Sequence, residues 1–108
     1  MPYLYTMEPE TVDDLTTLLA NNLQRRRLEK GLSRSALSMM SGVPVPTIAK
    51  FEQQHTLSLS SFVALAKALG YTSDIKRLLS EPLFDTMEEL EQINKNKNRK
   101  RGRNEFDR

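Results

Sequence analysis

The chain has 108 residues, 38% of them hydrophobic, with a formal net charge of +2, one histidine and no cysteine. A chain of that length supports one compact domain plus extensions. Without cysteine there are no disulfides and no thiolate metal sites, and His55 alone leaves neither a zinc cluster nor a Ser-His-Asp triad.

Residues 1–10, MPYLYTMEPE, read as an N-terminal arm in which Tyr3, Tyr5 and Met7 suit either an edge strand or a packing arm. Thr11 can cap a first helix, and Asp13 and Asp14 in its first turn favour the positive end of the helix dipole. That helix is expected to run to about Lys30, with Leu15, Leu19, Leu23 and Leu28 inward, and to end at Gly31. Ser33 caps a second helix over 34–41, with Ala36, Leu37 and Met40 on one face. Gly42 can take the positive φ that closes a helix, and Pro44 prevents the second helix from continuing. A third helix is expected over 45–53, with Ile48 and Phe51 inward and Pro46 in the first turn, where a missing N–H costs little. Ser58 caps a fourth helix over 59–69, with Phe62, Leu65, Ala66 and Leu69 inward and Gly70 beyond its end. A fifth, over 73–79, uses Ile75, Leu78 and Leu79. Residues 11–81 therefore make a five-helix globule. After Pro82, Asp85 or Thr86 can cap a short acidic helix, MEELEQI, within 82–93, with Met87, Leu90 and Ile93 apolar. Residues 94–108 are dense in Asn, Lys and Arg and too poor in apolar side chains to offset the entropy of ordering, so they are expected to be disordered when free.

Charge is unevenly distributed. Residues 1–22 carry four acids and no bases, 23–56 carry +4, 57–93 carry −3 and 94–108 carry +5. Basic charge thus gathers on the segment from the end of the first helix through the third and on the tail, as an electrostatic footprint on phosphate requires. The tail can touch DNA, dock a partner or simply solvate the chain. No apolar run approaches 18 residues and no basic-then-apolar leader is present, so the expectation is a cytoplasmic protein without membrane contact. No glycine-rich phosphate loop appears, and no residues are candidates for catalysis, metal ligation or cofactor binding. The expectation is a binding protein rather than an enzyme.

Two short helices joined by a Gly-containing turn describe a helix-turn-helix. The segment resembles the lambda-repressor-like (Xre-type) helix-turn-helix family through Gly31-Leu32-Ser33, Ala36-Leu37, Gly42-Val43, Thr47-Ile48 and Glu52. The resemblance continues through Leu59, Phe62 and Leu65-Ala66-Lys67-Ala68-Leu69-Gly70, and so covers about 14–80. It implies an all-α fold: a five-helix lambda-repressor-like domain, here with an N-terminal arm, a short C-terminal helix and a basic tail.

In that family the third helix lies in the major groove with its N-terminal residues at the base edges. Carried over by position, the readers are Val45, Pro46, Thr47 and Lys50, with Ala49 near the groove floor. Val45 and Pro46 cannot form bidentate hydrogen bonds but can contact a thymine methyl, and Lys50 can reach guanine or a phosphate. Part of the specificity is then expected from DNA shape. The other account of Val45 and Pro46 is that they merely start the helix. Backbone contacts are expected from Arg34 and Ser35, which open the second helix, and from Gln53, Gln54, His55 and Thr56. The resemblance also implies an ion pair between Arg27, late in the first helix, and Glu52, the alternative being two exposed charges.

Most family members bind as two-fold dimers, since one reading helix contacts too few base pairs. Helix 5 and Leu83-Phe84 are the candidate dimer surface, with the Tyr3 to Met7 arm second. One such domain followed by Pro-Leu-Phe, an acidic helix and an Arg/Lys-rich end looks like the HipB-like antitoxins, which repress their own operon and bind a HipA-type kinase toxin. The other readings are a stand-alone or phage-type repressor, and an interaction module that has lost DNA binding.

Overall fold

The computed structural model describes residues 10–102 and places six helices in them, with no strand among the described residues. They are α1 (Val12–Glu29), α2 (Arg34–Ser41), α3 (Val45–Gln54), α4 (Leu59–Ala68), α5 (Thr72–Arg77) and α6 (Met87–Asn96). The expectations for Tyr3, Tyr5 and Met7 and for 103–108 lie outside the described residues. The chain divides between Lys76 and Arg77 into two compact units.

Side-chain caps set the starts of α1, α2 and α4. Thr11 and Asp14 form a reciprocal capping box at α1, Ser33 accepts from the Ala36 amide at α2, and Ser58 accepts from the Ser61 amide at α4. The core consists of Ala20 and Leu23 from α1, Leu37 from α2, Val43 from the turn, Ile48 and Phe51 from α3, and Leu65 and Leu69 from the end of α4. Leu32, Leu57, Phe62, Ala64 and Ala68 pack against it. α2 packs on α3 and α4, and α1 packs on α3. Phe51 meets Phe62 edge-to-face, with ring centroids 6.1 Å apart, which adds directional contact between α3 and α4.

The inward face of α1 differs from the leucine ridge expected from sequence. Leu23 is buried, but Leu15, Leu19 and Leu28 are 43%, 45% and 58% exposed. An i, i+4 ridge drifts by about 40° at each step, because four residues overshoot one helical turn. The buried stripe follows alternating steps of three and four instead: Ala20, Leu23, Arg27. On α2, Leu37 is fully buried, whereas Met40 is exposed.

α5 is shorter than expected and contributes only half-buried Ile75, while Leu78 and Leu79 are exposed. Leu79 ends up at φ 62, a left-handed conformation that leucine seldom takes and that no helix can continue through.

In the second unit Thr86, not Asp85, caps α6, in a capping box with Glu89. Leu90 and Ile93 are half-buried and Met87 is exposed. The helix runs on to Asn96, so 94–96, expected to be disordered, are helical. A nucleated helix adds one hydrogen bond for each further residue, and Lys95 in the last turn suits the negative end of the dipole.

Candidate nucleic-acid interface

The turn between α2 and α3 fixes how the third helix is presented. Gly42 sits at φ 80 and donates its amide to the Ser38 carbonyl at 2.8 Å, closing α2. The Val43 amide donates to Ser41 Oγ at 3.1 Å, and the Val43 side chain is buried, anchoring the turn to the core. Pro44 is extended, with ψ 146, and its carbonyl accepts from the amides of Thr47 and Ile48. Pro46 has no amide to satisfy at that position. The run Gly42-Val43-Pro44 therefore stops one helix and starts the next with both of its amides hydrogen-bonded.

α3 buries Ile48, Phe51 and Glu52. Its opposite side carries Val45, Pro46, Lys50, Gln53 and Gln54, all exposed, with Thr47 and Ala49 half-buried. Pro46, Thr47 and Lys50 line an open groove together with Thr56, Leu57 and Ser58. The face proposed from sequence for base contact thus runs into the loop that leads to the capped start of α4. Leu57 and Ser58 were absent from the sequence-derived set. Ser58 had been recognised only as a cap, although a capped helix start can also serve a phosphate.

Beneath this face lies a charged cluster centred on Glu52, whose side chain is only 1% exposed. Arg27 donates from Nε to Glu52 Oε2 at 2.8 Å and from Nη2 to Oε1 at 3.0 Å, a two-point fork. The remaining Arg27 nitrogen, Nη1, donates to the Leu32 carbonyl at 2.8 Å in the α1–α2 connection. Arg34, at the start of α2, donates from Nε to Glu52 Oε1 at 3.0 Å, and its Nη2 lies 3.0 Å from the same oxygen. One carboxylate thus ties α3 to α1, to the connection after α1 and to α2. Sequence reasoning assigned Arg34 to the DNA backbone alone. It is a positioning residue, with 32% of its side chain exposed and one edge of its guanidinium held inward. Two arginines facing one carboxylate leave the cluster with net positive charge.

His55 also has a structural task. It caps α3 in the left-handed conformation at φ 66, and its amide donates to the Phe51 carbonyl at 2.9 Å. Its Nδ1 lies 3.1 Å from Thr17 Oγ1, joining the middle of α1 to the end of α3. No local sequence signal marks a partner 38 residues away. Ser35, Gln53, Gln54 and Thr56 are exposed, and no hydrogen bond from their side chains competes for them among the described residues.

Among the described residues no group of three or more His, Cys, Asp or Glu side chains could hold a metal ion. No helix there is long and apolar enough to cross a membrane.

Comparison with curated proteins and with solved structures finds no match. A helix-turn-helix family model matches residues 23–76, half of the 108-residue chain, from the buried Leu23 of α1 to the second-last residue of α5. The chain belongs to the lambda-repressor-like helix-turn-helix family of DNA-binding transcription regulators.

Proposed function

We propose that this chain is a sequence-specific repressor that binds operator DNA as a homodimer, and that it is the antitoxin of an operon that also encodes a HipA-like kinase toxin. The observation that carries the first part is the exposed Val45, Pro46 and Lys50 face of α3, set on a helix whose other side is pinned through Glu52. Base reading requires side chains held by a rigid support, since a shift of an ångström spoils a hydrogen bond. In this reading Val45 and Pro46 meet thymine methyl groups, Lys50 reaches a guanine or a phosphate, and Thr47 supplies a hydroxyl. Ser35, Gln53, Gln54 and Thr56 contact phosphates, and the free edge of Arg34 adds charge.

A homodimer would double the short readout of one α3 and match a palindromic operator. Exposed Leu78, Leu79 and Leu83, with Phe84, offer an apolar surface for it. The antitoxin role draws on the order of segments: one reading domain, a Pro-Leu-Phe stretch, an acidic-to-basic helix and a basic end. It places the protein in the cytoplasm.

The test is binding of the full chain to DNA upstream of its own reading frame, against a scrambled duplex of equal length. Protection of one palindromic element supports the reading. Equal affinity for both duplexes contradicts sequence-specific repression. Co-expression with the product of the adjacent gene tests the antitoxin role, which falls if that product is no kinase or forms no complex.

A further inference from the structure

The end of α6 and the turn after it form a concave surface lined by Gln92, Lys95, Asn96, Arg99, Lys100 and Arg101. We propose that this surface is a second phosphate-binding element, which grips the phosphodiester backbone of duplex DNA outside the bases read by α3. The proposal rests on the DNA-binding reading above and adds a site that α3 does not contain.

Charge comes first. Lys95, Arg99, Lys100 and Arg101 share one concavity, and among the described residues no carboxylate lines it and none of the four is ion-paired. Gathering like charges in one hollow raises the local potential and draws in a polyanion. Preorganisation comes second. The turn is built rather than splayed: the Arg99 amide donates to the Asn96 carbonyl at 3.0 Å. Arg99 Nη1 donates to Asn96 Oδ1 at 3.3 Å, and Asn96 Nδ2 lies 3.5 Å from Gln92 Oε1. These contacts link a guanidinium to two side-chain amides on the lining of the hollow. A guanidinium fork matches two phosphate oxygens, an ammonium supplies a point charge, and amide N–H groups complete the set.

The polarity of α6 agrees. Two of its acids, Glu88 and Glu89, lie in the first turn with Glu91 just beyond, and its one base, Lys95, lies in the last turn. That arrangement suits the helix dipole, and none of the three α6 carboxylates is among the described residues that line the hollow. Duplex DNA is favoured over an acidic protein because the same chain carries the reading domain. Once α3 is seated, a tethered basic element meets nearby phosphates at high effective concentration.

The experiment compares the full chain with the K95Q/R99Q/K100Q/R101Q variant on a random-sequence duplex, by fluorescence anisotropy across a range of salt. Each lost phosphate contact should flatten the slope of log K against log salt by about 0.9. Circular dichroism checks that α6 persists in the variant. A second measurement needs no variant: adding a short duplex to labelled full-length protein should shift the amide NMR signals of Gln92, Asn96 and Arg99. An unchanged slope together with unmoved signals overturns the proposal. So does an unchanged slope in a variant that has lost a protein partner, since the surface then serves that partner. If the wild-type chain binds no duplex at low salt, the DNA-binding reading itself fails.

Discussion

Arg27 and Glu52 face each other across the α1–α3 contact in a two-point fork, with both side chains almost wholly removed from solvent. Because Arg34 donates a further bond to the same Oε1, the carboxylate is shared between two guanidiniums. Breaking a buried pair from one side strands a charge and costs about 3–5 kcal/mol. Glu52→Ala should therefore remove a large part of the domain's stability, read as a lower urea midpoint. Arg34→Ala, at the half-exposed edge, should cost much less. Equal midpoints for Glu52→Ala and wild type would show that the cluster carries no stability.

Gly42→Ala tests the turn. An added Cβ meets nothing within 4 Å, so its only cost is the left-handed backbone at φ +80. That conformation costs an L residue about 1–2 kcal/mol. The expected outcome is a melting temperature lower by several degrees, with helical content retained below the transition. No change in melting would mean that the turn readily adopts another geometry.

Thr17→Val keeps the shape of the side chain but removes the hydroxyl from His55 Nδ1. Loss of one such bond should cost about 1 kcal/mol in denaturant unfolding. Affinity for DNA at saturating folded protein should stay unchanged, because Thr17 lies on α1 and not on the reading helix. A large loss of affinity without loss of stability would place the Thr17–His55 contact in the DNA interface instead.

Lys50→Ala should weaken operator binding, and by about 1–3 kcal/mol in a base-dependent manner if Lys50 meets a guanine. Val45→Ala should act chiefly at a single thymine-containing position. Competition binding with single-base operator variants separates the two. If neither substitution alters affinity or sequence preference, α3 is not the reading helix.

Much of the fold was legible in the sequence because its punctuation is local. Thr11, Ser33 and Ser58 are caps, Gly42 and Pro44 define the turn, and α2 follows from its own residues alone. What was not legible depends on distant neighbours. Leucines at 15, 19 and 28 look inward on a ridge, yet the tertiary packing turns the α1 stripe toward Ala20 and a buried arginine. Pattern alone would leave Arg27 outside, and its burial makes sense only beside Glu52. The second role of Arg34 and the Thr17–His55 contact likewise appear only once α1, α2 and α3 are assembled. At the far end, charge density suggested a tail without structure as far back as residue 94. The Thr86–Glu89 box instead nucleates a helix that carries Lys95 in its last turn.

A chain that grips duplex DNA through basic surfaces neutralises phosphates and releases their counterions, so its affinity must depend on salt. The most direct measurement is the affinity of the full-length protein for DNA upstream of its own reading frame, from low to near-physiological salt. Log K should fall linearly and steeply with log salt, by about 0.9 in slope for each phosphate neutralised. A flat response, or no duplex binding at low salt, would contradict the DNA-binding reading.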